Sequence, residues 1–253
     1  MVDTDRGDGF RGGVTLAEHG IQWADVKPGS VVMGSDDRSV LFGGIGPRHE
    51  VSIDYSFRIS ASPVESEEAA RLIRDSEVEV ASESEWELAH SRGLLFANEG
   101  TTEELADLAK DYWGKACDGR PHEGKGPSPM ILRKWGPGRP SPYVSFPGQG
   151  PVSSGVRLVI RDSHSWDDSP PRIPAKRNNS RLLAEEVAIS LSLGVIPSFV
   201  WAYINASDGY IRDGWLNLVI GGVFVGFLTM VFWRPRQPTW RIENGMMSPR
   251  RGK

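Results

Sequence analysis

The 253-residue chain carries 29 Lys and Arg against 33 Asp and Glu, a formal net charge of -4, so it lacks the basic excess with which proteins neutralise nucleic-acid phosphates. Its one cysteine, Cys117, excludes an intrachain disulfide and a C-x-x-C site, and fits a reducing compartment. The 29 Gly and 18 Pro, most of them ahead of residue 180, predict a loop-rich globular region followed by something of a different kind.

Residues 1–25 open with MVDTDRGDGF, which has no apolar run, and read as a flexible N-terminal segment without a signal peptide. A folded domain is expected over 26–162. Its first strand is GSVVMGS, Gly29 to Ser35, bounded by glycines and followed by the Gly-rich loop RSVLFGGIGPRH. In VSIDYSFRI, Val51, Ile53, Tyr55, Phe57 and Ile59 alternate with Ser52, Asp54, Ser56 and Arg58, the period of two that buries one face of a strand. ESEEAARLIRD predicts a helix from Glu65, with acids in its first turn to complement the dipole. In ASESEWELAH, Ser82 and Glu85 have capping-box spacing, so a second helix begins there and stops near Gly93. Trp86 is expected to anchor the core, with Glu85 and Glu87 solvated beside it.

Residues 163–186 read as a Pro-rich basic linker, because DSPPRIPAKRNNS holds the chain extended and offers nothing to a core. Two uncharged stretches follow: 187–204, VAISLSLGVIPSFVWAYI, and 215–233, WLNLVIGGVFVGFLTMVFW. As helices they extend roughly 27 to 29 Å, close to the hydrocarbon thickness of a bilayer, with Trp201, Tyr203, Trp215 and Trp233 where interfacial aromatics belong. They predict a two-helix transmembrane hairpin. Arg172, Lys176, Arg177 and Arg181 precede it and Arg234, Arg236 and Arg241 follow it, whereas the connection Asn205 to Gly214 has Arg212 against Asp208 and Asp213. By the positive-inside rule the N-terminal domain and a basic tail, 234–253, are expected in the cytoplasm, making the chain a multi-pass integral membrane protein.

The ordered blocks GSVVMGSDD, GPRHEVSIDYSFRISASPVESEEAARLI, ASESEWELAHSRG and SGVRLVI resemble the formylglycine-generating enzyme (sulfatase-modifying factor) domain family, over about Val26 to Arg161. The resemblance implies an α+β fold, irregular and C-type-lectin-like, ahead of the membrane hairpin. Enzymatic members of that family use two cysteines shortly before the closing block to bind copper and oxidise a substrate cysteine to formylglycine. The matching stretch here, GRPSPYVSFPGQGPVSSGVR, has no cysteine, and Cys117 has no thiol partner in the chain, so a bis-thiolate site for Cu(I) cannot form. The resemblance therefore implies a catalytically inactive module that binds a protein or small-molecule ligand, without nucleic acid. Two alternatives stand beside it: an enzyme with non-thiol chemistry, and an assembly subunit whose membrane hairpin is the working part.

Other chemistry has little support. His19, His49, His90, His122 and His164 are scattered, without metal-ligand spacing, and His49 reads as a structural core histidine. Cys117, Asp118 and His122 could pair as nucleophile and base, but they lie in a Gly-rich loop without fixed geometry. The oxygen-rich loops GSDDRS, with Asp36 and Asp37, and DSHSWDD, Asp162 to Asp168, suit calcium but read equally as solvated turns. No catalytic, cofactor-binding or metal-ligating residue is assigned, and no cofactor.

Overall fold

The computed structural model describes residues 14–18, 20–37, 44–124, 129–138, 140–145, 153–232 and 236–250. The architecture is mixed α and β, with three small sheets and two long apolar helices.

Strands β1 (Val14–Glu18) and β2 (Ile21–Val26) form an antiparallel pair, with β1 inside the stretch expected to be a flexible N-terminal segment; His19 lies outside the described residues. Ile21, Trp23 and Ala24 are buried, which ties this pair to the domain by apolar burial. Strand β3 (Gly29–Met33) follows as expected. The alternating run then divides into β4 (His49–Ile53) and β5 (Phe57–Ser60). All five of its apolar residues are buried. The two strands nevertheless enter different sheets, because β4 pairs with β3 while β5 pairs with β2. A period of two survives a bend between sheets, so the pattern alone does not reveal the division.

Helix α1 (Ser66–Asp75) starts one residue after the predicted Glu65, which is its N-cap, and buries Ala69 and Leu72. It packs with Ile21, Trp23, Val64, Val78, Val156 and Leu158 as a satellite core. After β6 (Glu79–Val80), helix α2 (Glu83–Ser91) carries Trp86 into the main core, with no exposed surface. Strands β7 (Thr102–Leu108), β8 (Met130–Lys134), β9 (Ser141–Ser145) and β10 (Gly155–Val156) make one sheet in the order β10-β7-β8-β9. Strand β11 (Leu158–Arg161) closes another between β5 and β6. The main core, which includes Trp86, Phe57, Ile59, Tyr112 and Ile131, lies among these sheets around α2.

Segment 163–186 is not a free linker. The Cys117 N–H donates to the Pro171 carbonyl (2.8 Å), the Ile173 N–H to the Lys115 carbonyl (3.0 Å), and Ile173 is buried. Only after this docking does helix α3 (Asn179–Ser190) begin, capped by the Asn178 side chain. It continues through a π-helical turn, Leu191–Val195, into α4 (Ile196–Asn205). The widened turn lies just before Pro197, whose missing N–H and ring break the regular i to i-4 ladder. Helix α5 (Asp208–Phe232) returns antiparallel to it. The runs Asn179–Asn205 and Gly209–Thr229 are long and apolar enough to cross a membrane, and only 11% and 17% of their apolar windows are buried. They pack on each other.

Within the stretch set apart as a basic tail, 234–253, the described residues 236–250 fold. Strands β12 (Thr239–Glu243) and β13 (Met246–Arg250) form a hairpin about Asn244 and Gly245, both with positive φ (52° and 74°), as a two-residue type I′ turn requires. Strand β12 joins β4 in parallel, with Trp240 opposite His49, to give the sheet order β13-β12-β4-β3. The Trp240 N–H donates to the Arg48 carbonyl (2.9 Å) and the Gln237 N–H to the Asp36 carbonyl (2.7 Å). Trp240 meets Trp113 edge to face, and Ile242 and Met247 pack on the main core. The apolar face of this hairpin outweighs its basic character.

Candidate functional site

The capping box at α2 is present in both directions: the Ser82 hydroxyl accepts from the Glu85 N–H (3.1 Å), and the Ser82 N–H donates to Glu85 Oε2 (2.8 Å). The expected solvation of its glutamates is not. Glu83, Glu85 and Glu87 are all buried, because sheets and loops enclose the helix along its length. Buried carboxylates persist only when paired and hydrogen-bonded. Here Arg133 from β8 reaches Glu83 (2.5 Å) and Glu87 (2.8 Å), and Arg161 from β11 grips Glu85 through two nitrogens (2.7 and 2.9 Å). Two tyrosines complete the set, with Tyr112 donating to Glu83 and Tyr55 to Glu85, each at 2.8 Å.

A second layer comes from β7, whose inward residues are Glu103, Leu105 and Asp107. Glu103 accepts from Arg157 (2.5 Å), from Trp86 Nε1 (2.9 Å) and from Trp135 Nε1. Asp107 pairs with the fully buried Lys115 (2.7 Å) and accepts the N–H groups of Glu83 (2.6 Å) and His122 (3.0 Å). Among the described residues five buried carboxylates thus share four cations: Arg133 serves two of them, and Arg161 also reaches the exposed Glu79. Burial holds the Glu83 carboxyl above the usual carboxylate range despite Arg133, with Asp107 adding to the effect, and Glu83 Oε2 has no protein partner. Burial opposes the charge on Arg133 as well, but Glu83 and Glu87 outweigh it and raise the guanidinium pKa.

His49 and His122 border this network. His49 is fully buried, its ring tilted 4.9 Å from that of Tyr112, and its Nδ1 lies 2.8 Å from the Pro47 carbonyl. That oxygen can only accept, so Nδ1 carries the proton. Burial lowers the His49 pKa to about 3 and that of His122 to about 4, so both rings are neutral at pH 7. The expected structural role of His49 fits this placement.

The proposed trio of Cys117, Asp118 and His122 is not assembled. Asp118 is bound by Arg120 (2.8 and 2.5 Å), while burial drives the Cys117 thiol up to about 12, which leaves it protonated and unreactive. His90 stacks on Trp86 (4.8 Å) and His164 on Tyr55 (4.1 Å), each apart from the buried pair. Among the described residues no three His, Cys, Asp or Glu side chains are grouped to hold a metal ion. The oxygen-rich loops serve the fold: Asp36 faces Arg48 (3.5 Å) and Arg236 (3.9 Å), the Asp37 carbonyl accepts from Gln237 Nε2 (3.3 Å), and the Asp167 carboxylate accepts the Ser169 N–H (2.9 Å).

The network residues absent from the sequence reading were partly legible. Asp107 and Glu103 share a strand face with Leu105, so alternation places both charges inward, whereas β8 buries Ile131, Leu132 and Arg133 alike and gives no such signal. Their chemistry is charge neutralisation within the fold, with the thiol and both histidines uncharged.

No protein-family model and no curated protein matches the chain. Among solved structures it is similar to that of PvdO from Pseudomonas aeruginosa, at 14% identity and a TM-score of 0.46, over 62% of this chain and 100% of that one.

Proposed function

We propose that this protein is a membrane-anchored, catalytically silent module of the formylglycine-generating-enzyme type, with a C-type-lectin-like domain that binds a protein or small-molecule ligand at the cytoplasmic face. The return of the chain is the observation that carries the anchored reading: it leaves the domain at Ile173, runs through two apolar helices, and comes back to add β12 to β4. A chain that crosses a bilayer twice ends on the side where it began, and the pairing of Trp240 with His49 supports that reading. The basic residues flanking the helices favour the cytoplasm as that side.

Silence is supported by the chemistry of Cys117. Formylglycine formation in the family draws on a copper-binding thiolate pair, whereas this chain has one thiol, buried and held protonated. Binding is then the role left to the domain surface.

Two measurements on the full-length protein test the reading. Impermeant labelling of single cysteines introduced at Ser207 and Ser248 of a Cys117→Ala chain in intact cells is expected to mark the first and spare the second. With copper, oxygen and a cysteine peptide, mass spectrometry is expected to find no formylglycine. Labelling of both positions overturns the membrane topology, and peptide turnover overturns the silent domain.

A further inference from the structure

The helical run Asn179–Asn205 is longer than its apolar part. Its 27 residues cover about 40 Å, whereas Val187 to Ile204 covers about 27 Å. The surplus lies at the domain end, in Asn179 to Glu186, about 12 Å of helix that carries the chain through the headgroup layer on that side. Gly194 against Gly222 and Gly226 against Ser190 set α5 antiparallel beside it, so the chain leaves α5 at the same end.

That end is basic. Arg172, Lys176, Arg177 and Arg181 stand before or in the first turn of α3, and Arg236 follows α5, all of them exposed. Arg181 spends part of its charge on Glu185 (3.1 Å) and Arg236 lies 3.9 Å from Asp36, but no carboxylate among the described residues pairs with Lys176 or Arg177. The opposite end has Arg212 between Asp208 and Asp213. The domain cannot stand far off. Ile173 is buried in it and α3 starts six residues later, a reach of at most about 20 Å, while Gln237 is bonded to Asp36 five residues after α5 ends.

We propose that this basic collar binds anionic phospholipid headgroups, resting on the membrane-anchored reading above. A phosphate at the start of α3 would meet Lys176 and Arg177, which have no carboxylate partner among the described residues. Basic side chains that close to a surface act on anionic lipid through a screened field, each favouring it by about fivefold.

The test counts lipids retained by the full-length protein in mild detergent, by native mass spectrometry, with phosphatidylglycerol and phosphatidylcholine of the same acyl chains as probes. Phosphatidylglycerol is expected to be kept at least about tenfold better. The variant Lys176→Gln/Arg177→Gln/Arg236→Gln, its fold checked by near-UV circular dichroism, is expected to lose that preference, and salt to weaken it in the wild type. Equal retention of the two lipids, or an unchanged preference in the variant, overturns the proposal. Carbonate extraction of membranes separates the two levels: a chain that stays embedded without lipid preference sinks the headgroup assignment alone, and a chain stripped off sinks both.

Discussion

Gly194 and Gly222 meet backbone to backbone across the helical hairpin: a Cβ on Gly194 would lie 1.9 Å from the Gly222 carbonyl oxygen, and one on Gly222 would lie 2.6 Å from Val195 Cα. Neither position tolerates even a methyl group without separating the helices. Gly222→Ala is expected to destabilise the hairpin by about 1–3 kcal/mol, the range for overpacking, as measured by unfolding of the detergent-solubilised protein in a titration with denaturing detergent. Gly221→Ala, one residue away with open space around its Cβ position, is expected to cost nothing.

Arg133 neutralises two buried carboxylates at once, so removing it takes a buried cation away from both. Arg133→Met is expected to cost about 3–5 kcal/mol in thermal or chemical unfolding. Adding Glu83→Gln to that variant is expected to recover part of the loss, since the orphaned charge goes with it. A loss below about 1 kcal/mol in the single variant would contradict the pairing.

The two buried histidines make stability fall in acid. Their folded pKa values, about 3 for His49 and about 4 for His122, lie below the ordinary 6.5, so between about pH 6.5 and 4 the unfolded chain takes up protons that the folded chain refuses. Each histidine contributes a slope of up to about 1.4 kcal/mol per pH unit across that window. Glu83, held above the usual carboxylate range, works in the opposite sense. The histidine share is therefore read from the difference between wild type and His49→Gln/His122→Gln, whose stability should decline less steeply as pH falls.

Trp240 distinguishes a folded C-terminal hairpin from a loose tail. It is half-buried and set against Trp113, while its backbone N–H, which alanine would keep, bonds the Arg48 carbonyl. Trp240→Ala is expected to cost about 2 kcal/mol in domain unfolding followed by near-UV circular dichroism, less than a fully buried tryptophan would. An unchanged midpoint would mean that the hairpin does not pack on the domain.

Cys117 should be silent to thiol reagents. With its pKa pushed up to about 12 and its side chain buried, the native protein is expected to react with a maleimide orders of magnitude more slowly than the unfolded chain at neutral pH. Prompt native-state labelling would show a reactive thiol and reopen the enzymatic reading.

Much of this was legible in short stretches. The capping box at Ser82 and Glu85, the helix after Glu65, the alternating Val51 to Ile59 and the two uncharged runs are all local patterns, and each has its counterpart in the structure. The C-terminal hairpin had a local signal too: Asn244-Gly245 between Ile242 and Met247 is the dipeptide that a type I′ turn demands, but the arginines around it suggested a basic tail. The burial of Glu85 and Glu87 had no such signal, because their partners Arg161 and Arg133 lie 76 and 46 positions away in the chain.

By itself the sequence determined which side chains share a face and where α1 and α2 begin, since those follow from backbone periods of 2 and 3.6 and from caps within a few residues. Only the tertiary structure decided what each face meets: that β4 and β5 part into different sheets, that α2 turns its glutamates to arginines from β8 and β11, and that β12 returns to β4 after two apolar helices. Such pairings depend on desolvation and charge balance summed over distant segments. A glutamate in a solvated turn and one in a buried ion pair can stand in the same local pattern, and the partner brought opposite it decides between them.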